Sequence, residues 1–372
     1  MIGGGQLAWL FGEAAHRAGY RFHVLTPDAT STATRAADSV TVAALDDVDA
    51  FVAFAGGVAA LTIDTEHIGT EALAAAARLT RVWPAPEVIA TTQSRILQRE
   101  ALAPAGLPLV PYLPVRSVKD LTGAMAEIGV PSILKSATEG YDGKGQVRLA
   151  GGESPDDAWR ALGAHAAVLE RFIPFAAEFS VIVARDASGN CVAYEPFENV
   201  HTEGILDHTA WPSRLDDRLA AEAVSIARGA AEALGVVGLL CVECFLLDDG
   251  TILINECAAR PHNSGHLTIE AAEASQYDQL VRVLAGLPLA STRRLRAAGM
   301  ANLVGGLHVE SSRFIPSGDP DITLYDYGKS YVDRRKLGHL VAVHPSDPGA
   351  ALARALGERA GIAARARSAA SR

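Results

Sequence analysis

Between Val236 and Leu247 an almost unbroken apolar run carries one charged side chain, Glu243. A second apolar run, Thr251–Asn255, follows directly after Asp248-Asp249-Gly250. Short apolar runs separated by turn residues read as the two strands of a buried hairpin. The second strand ends at Asn255-Glu256, and strands joined by a tight turn can bring Glu243 and Glu256 together on one face. Like charges so placed repel unless a cation lies between them. Two carboxylates and an amide oxygen suit Mg²⁺, a hard ion that prefers oxygen ligands. Glu243 and Glu256 are therefore candidate metal ligands.

A glycine-rich segment lies upstream. Lys135 ends the short strand Ser132–Lys135, and Glu139-Gly-Tyr-Asp-Gly-Lys-Gly-Gln146 follows. Gly140, Gly143 and Gly145 let the backbone approach phosphate oxygens and aim N–H groups at them. Lys144 adds a point charge inside the loop. The plainer reading is a surface turn, and the segment is not a Walker A loop, which needs Gly-Lys-Ser/Thr opening a helix. Downstream of the hairpin, Arg260-Pro-His-Asn-Ser-Gly-His266 packs a cation, two imidazoles, an amide and a hydroxyl into seven residues. That density of donors suits a small oxyanion such as bicarbonate. A helix start capped by Ser264 is the plainer reading, and zinc ligation by His262 and His266 a weaker one. Lys329 and Arg334-Arg335-Lys336 form a basic cluster that is either solvated surface or a phosphate site.

The chain reads as three blocks. Residues 1–90 alternate helix-like and strand-like stretches: a helix over Gln6–Ala18, strands at Arg21–Leu25, Ser39–Ala43 and Ala59–Ile63, and an Ala-rich helix over Thr70–Arg78. Such alternation predicts a parallel sheet with helices on its faces. Gly3-Gly4-Gly5 opens the first helix, yet almost no strand precedes it. Residues 91–288 begin with a helix over Thr91–Ala103, then Pro104, Pro108, Pro111 and Pro114 punctuate a linker. Strands at Ala167–Phe172 and Glu178–Ala184 and a long helix over Asp217–Leu234 lead into the hairpin. Residues 289–372 are strand-rich and end in an Ala- and Arg-rich tail from Pro348, a terminal helix or a frayed end.

Composition narrows the function classes. At 372 residues the chain is long enough for two or three domains, and its formal charge of −10 argues against general nucleic-acid binding. The longest nearly apolar run, Phe51–Ile63, is shorter than the roughly 18 residues that a bilayer span needs, so no membrane segment is expected. Cys241-Val-Glu-Cys244 has redox or zinc spacing, but it sits in an apolar strand with no second pair nearby. A reduced, cytoplasmic protein is the expectation.

Taken in order, Ile2-Gly-Gly-Gly-Gln-Leu7, Glu66-His-Ile68, Gly140-Tyr-Asp-Gly-Lys-Gly-Gln146, Glu198-Asn-Val-His201, Asn255-Glu256, Arg260–His266 and Arg335-Lys-Leu-Gly-His339 resemble the N5-carboxyaminoimidazole ribonucleotide synthetases over about residues 2–345. The resemblance implies an ATP-grasp fold of the α/β and α+β class, with a Rossmann-like parallel-sheet domain before it (1–90) and a small β-rich domain after it (289–372). It implies an ATP- and bicarbonate-dependent ligase that carboxylates the exocyclic amine of aminoimidazole ribonucleotide through carboxyphosphate, in a cytoplasmic homodimer. By the same resemblance ATP is held by Arg95, Lys135, the loop Gly140, Tyr141, Asp142, Gly143, Lys144, Gly145 and Gln146, and Glu170, Arg171, Phe172, Ile173, Glu178, His201, Asn255 and Glu256. Phe172 and Ile173 border the adenine and Glu178 the ribose, while Glu243 and Glu256 hold Mg²⁺. Tyr141, Asp142, Arg260, His262, Asn263 and Ser264 gather bicarbonate and the imidazole. Gln6, Leu7, Asp64 and Glu66 face the nucleotide's ribose and amine, and Lys329, Arg335 and Lys336 its phosphate.

Three positions depart from the family pattern. Ser136-Ala-Thr138 stands where basic residues are frequent, Asp64 where Glu is usual, and Val332 where Arg is common. These changes leave room for a relative that acts on another amine. A third reading starts from Gly3-Gly-Gly5-Gln-Leu-Ala8 with Asp28 about twenty residues on, a dinucleotide fingerprint that would suit a nicotinamide oxidoreductase.

Overall fold

The computed structural model describes residues 1–138, 145–163 and 165–370. In the N-terminal part, His23–Thr26 pairs in parallel with Ser39–Val42, and Ala60–Leu61 with Arg81–Val82. Parallel bridges from Ile2 to Leu25 and to Ile63 join the two pairs. The strand expected before the glycines is thus reduced to Met1-Ile2, whose neighbours hold it: the terminal amine donates to the His23 carbonyl at 2.9 Å, and Ile2 is fully buried. Helix Gln6–Arg17 starts directly after the glycines. Gly3 has φ +100°, and a Cβ there would lie 1.7 Å from Asp64 Oδ1, so only glycine lets this carboxylate reach the helix start.

Among the described residues a four-stranded antiparallel sheet follows, ordered Tyr112–Val115, Ala167–Arg171, Ser132–Ser136, Gln146–Leu149. Leu121 and Ala124 of helix Val118–Ile128 and Ala158 of helix Pro155–Leu162 pack on its Val115, Leu134, Leu149 and Leu169. The predicted helix over Thr91–Ala103 is two helices, Pro86–Thr92 and Arg95–Leu102. Ser94 breaks the run by leaving helical geometry and capping the second helix through its hydroxyl, which accepts from Leu97 N–H.

The larger sheet has nine strands among the described residues. Eight run in the order Ile252–Ala258, Gly238–Leu246, Ala177–Arg185, Phe197–Thr202, Ile205–Trp211, Ala297–Val304, Lys336–His344, Ile322–Asp326, and Cys191–Ala193 pairs beside Ala177–Arg185. Helix Asp217–Ala233 covers one face of its first half, and helix Gln276–Ala285, begun by a Ser275–Asp278 capping box, lies against the other. The strands after residue 289 extend this sheet rather than forming a separate one, because Ile205–Trp211 pairs with Ala297–Val304. The tail is a helix, Pro348–Ala370, seated so closely that a Cβ on Gly299 would come 2.3 Å from Leu352 Cα. Cys241 faces one core and Cys244 the other, as strand alternation demands of residues three apart. All four cysteines are free of disulfides, and the opposite facing of Cys241 and Cys244 argues against a shared role for them.

Candidate functional site

The hairpin forms as its sequence predicts, and Glu243 stands directly opposite Glu256 in the antiparallel register. Their environments differ. The Glu243 side chain is 11% exposed and accepts from His262 Nε2 at 2.8 Å; that of Glu256 is 42% exposed and accepts from Arg95 at 3.4 Å. Burial works against a charge on Glu243, yet His262, His201 and Arg260 outweigh it and hold its pKa down at about 2. An ionised carboxylate within the sheet beside one open to solvent is an oxygen donor set that fits Mg²⁺. One oxygen of Glu178, one of Glu243 and a ring nitrogen of His201 also lie within 4.8 Å of one another, a second set able to hold a cation. Its imidazole suits a softer ion than magnesium.

Beside the carboxylates lies a cationic wall. Lys135 Nζ sits 2.7 Å from Glu170 Oε2 and donates to Asn255 Oδ1 at 3.3 Å. Arg99, one helical turn after Arg95, pairs with the other Glu170 oxygen and donates to the Asn255 carbonyl at 3.1 Å. Burial alone would lift the Glu170 pKa; Lys135 and Arg99 reverse that and keep it below the ordinary carboxylate range. Glu170 therefore braces the cations. Arg95 also donates to the Ser136 carbonyl at 3.0 Å, bringing a positive charge to the segment where this chain lacks the frequent basic residues.

Glu178 and His201 meet at 2.8 Å across adjoining strands. Phe172 lies under the Arg148 guanidinium, 4.4 Å from its ring centre, and both Phe172 and Ile173 are half-buried. Two predicted contacts sit differently from expectation. Arg171 is exposed and lines a separate groove with Leu107, Tyr112 and Glu127, because strand alternation turns it away from Glu170. Leu7 is a buried core side chain. Lys336 is half-buried at the start of strand Lys336–His344. Gln146 pairs in register with Lys135 and Gly145 accepts from Ser136 N–H; Gly140, Tyr141, Asp142, Gly143 and Lys144 lie outside the described residues.

The Arg260–His266 segment folds into the turn Asn263–Gly265. Its start is capped by His262 rather than by Ser264, whose hydroxyl lies between His262 Nδ1 at 2.8 Å and Ser180 Oγ at 2.7 Å. His262 pairs with Glu243 and His266 with Tyr277, so each imidazole has its own partner. Gln276 clamps the His262 backbone, accepting from its N–H at 2.9 Å and donating to its carbonyl at 2.8 Å. Arg260 is held by Glu66 at 2.6 Å. The buried Asn263 amide has no hydrogen-bond partner for its nitrogen or its oxygen among the described residues. Asp64 accepts from Gly5 N–H at 2.6 Å; burial raises its pKa to about 6 against the pull of Gly5, Arg260 and Lys329. Lys329 donates to Gln6 at 2.7 Å, and Arg335 is exposed.

Residues 1–93 match the ribonucleotide synthetase preATP-grasp domain, residues 100–277 the ATP-grasp domain, and residues 298–352 the phosphoribosylaminoimidazole carboxylase C-terminal domain. The N5-carboxyaminoimidazole ribonucleotide synthase of Brucella melitensis is 37% identical over 350 residues, which cover 93% of this chain and 96% of that protein. The chain belongs to the N5-carboxyaminoimidazole ribonucleotide synthase family. Its fold is that of an N5-carboxyaminoimidazole ribonucleotide synthetase crystallised with ADP, with a TM-score of 0.89, 36% identity and coverage of 97% of this chain and 95% of that one. A synthase of Aspergillus clavatus, crystallised with ADP and 5-aminoimidazole ribonucleotide, gives 0.86 and 27% with 98% of both chains covered.

Membership in this synthase family identifies the enzyme class as an ATP-grasp ligase and removes the nicotinamide reading. The local reason is visible too: added Cβ atoms on Gly3 and Gly4 would collide with Asp64, Thr26 and Ser31 side chains, so these glycines pack against protein. Arg99, Gln276 and Ser180 are site residues that sequence reasoning missed. Only Arg99 left a signal, as a second arginine on the same helical face as Arg95.

Proposed function

We propose that this chain carboxylates the exocyclic amine of 5-aminoimidazole ribonucleotide with ATP and bicarbonate, giving N5-carboxyaminoimidazole ribonucleotide, ADP and phosphate. The single observation that carries the reading is Asn263, a buried amide with both polar atoms unsatisfied among the described residues, set between Arg260 and the His262–Ser264 pair. Buried amides ordinarily find partners. A bicarbonate ion bearing both O–H and O⁻ meets the donor and the acceptor at once.

Glu178, oriented by His201, receives the ATP ribose. Lys135 and Arg95 face the phosphates, with Glu170 and Asn255 fixing the lysine. Glu243 and Glu256 would hold Mg²⁺, which supplies positive charge against the triphosphate. Bicarbonate, gathered by Arg260, His262 and Asn263, attacks the γ-phosphorus, and the activated carboxyl passes to the amine. Glu66 orients Arg260 through their 2.6 Å ion pair. Lys329 and Arg335 take the substrate phosphate, and Gln6 and Asp64 face its ribose and amine. Tyr141, Asp142 and Lys144, outside the described residues, would serve the same site by the family resemblance. The same reading includes a cytoplasmic homodimer.

ADP release should require the imidazole nucleotide strictly; equal release without it would overturn the proposal. Asp64 gives a pH signature. Its pKa is raised from 3.8 to about 6 in the fold, so its contribution to stability is complete below 3.8 and is lost as pH rises through 6. Activity runs the other way, since protonation removes the negative charge that faces the amine and turns one of the two acceptor oxygens into a donor. The kcat/KM for the nucleotide should fall below about pH 6. Asp64→Asn should flatten that acid limb while making the fold more stable at pH 8; an unchanged limb would assign it to another group.

A further inference from the structure

A ladder of rings, set apart from the reacting groups, joins the parts of the site. His266, directly after the Arg260–Gly265 segment, stacks on His339 of strand Lys336–His344 with centroids 4.6 Å apart. His339 stacks on Tyr325 at 4.5 Å and 6°. Tyr325 and Tyr327 both meet the Trp9 edge, at 6.2 and 6.5 Å, and Arg35 covers Trp9 at 4.6 Å. Each imidazole is tied by one nitrogen: His266 Nδ1 to Tyr277 OH and His339 Nδ1 to Tyr327 OH, both at 2.8 Å. Lys329 Nζ lies 5.1 Å over the Tyr327 ring while donating to Gln6.

His266 and His339 are both fully buried, and the Nε2 of each lacks a partner among the described residues. Burying an unpaired polar atom costs free energy, so packing alone would be better served by phenylalanine. The nitrogens that are used, both Nδ1 atoms, each fix a tyrosine. One of these, Tyr327, lies two residues before Lys329, and His339 lies three after Lys336. The ladder thus connects the Arg260–Ser264 turn, the Gln6–Trp9 helix start and the Lys329–Lys336 segment through rigid rings.

We propose that His339, through its stack on His266 and its bond to Tyr327, is a positioning residue that sets Lys329 relative to the Arg260–Ser264 turn, and so controls affinity for the imidazole nucleotide rather than for ATP. This rests on the substrate reading of the site. The bonded nitrogen of each imidazole goes to a tyrosine, Tyr277 or Tyr327.

The test is a comparison of Michaelis constants in the intact enzyme. His339→Phe keeps the stack and loses the Tyr327 bond; Tyr327→Phe removes the same bond from the other side. Each should raise KM for 5-aminoimidazole ribonucleotide about tenfold, as expected for a lost hydrogen bond of ordinary strength, with KM for ATP within about twofold. His339→Asn, which keeps a polar group for Tyr327, should restore part of the loss. If His339→Phe fails to fold, Tyr327→Phe, which conserves volume, decides. Unchanged KM values with only a lower Tm, or equal rises for both substrates, would overturn the proposal. A wild-type enzyme that turns over ATP without the nucleotide would instead overturn the substrate reading and this proposal with it.

Discussion

Lys135→Ala is expected to lower kcat for phosphate release by about two to three orders of magnitude, the usual cost of losing one preorganised charge aimed at a transition state. The fold should survive. Glu170, the buried carboxylate that Lys135 neutralises, keeps Arg99 as a partner, and Arg99 is itself anchored on the Asn255 carbonyl. Stability should fall by no more than about 1–2 kcal/mol, the scale of removing one charge-assisted hydrogen bond from a network that stays neutralised. A coupled phosphate assay and a melting curve on one preparation check both halves. Near-normal turnover would remove Lys135 from the phosphate site.

Glu256→Gln should be as damaging to turnover, yet nearly silent in stability. The glutamate stands in register opposite Glu243, and its ion-pair partner, Arg95, meets it at 3.4 Å on a side chain 42% exposed. A long pair with one half-exposed carboxylate contributes little, and relief of carboxylate repulsion offsets its loss. Arg95 also retains its bond to the Ser136 carbonyl. The melting free energy should change by about 0.5 kcal/mol or less. Turnover should drop by roughly two orders of magnitude or more, with the Mg²⁺ concentration for half-maximal rate shifted upward. An unchanged magnesium dependence would assign the ion to the Glu178–His201–Glu243 set instead.

The residues behind these expectations were legible in the sequence to different depths. The hairpin itself was legible, because Asp248-Asp249-Gly250 interrupts an apolar run, but the plain register of that turn sets Glu243 opposite Asn255; the β-bulge between Glu243 and Cys244 that brings Glu256 opposite Glu243 left no sequence signal. The first strand was not, since a strand reduced to Ile2 has no periodicity to read; its bridges to Leu25 and Ile63 come from the chain around it. The Thr91–Ala103 run hid a helix boundary, as Ser94 lies within an otherwise helical pattern. Chemistry-bearing residues stood out where several sat together, as in Arg260–His266. The braces Arg99, Gln276 and Ser180 were missed, because each acts only through bonds to distant segments. Arg171 shows the reverse: a neighbour in sequence to Glu170, it is turned by strand alternation to another groove.

The decisive measurement is stoichiometric. Purified enzyme given Mg-ATP, 5-aminoimidazole ribonucleotide and isotopically labelled bicarbonate should fix one labelled carboxylate on the nucleotide for each ADP formed, with neither product appearing when the nucleotide is left out. ADP formed with no label fixed on the nucleotide, or label fixed without ATP consumption, would contradict the assignment of this chain as a bicarbonate–amine ligase.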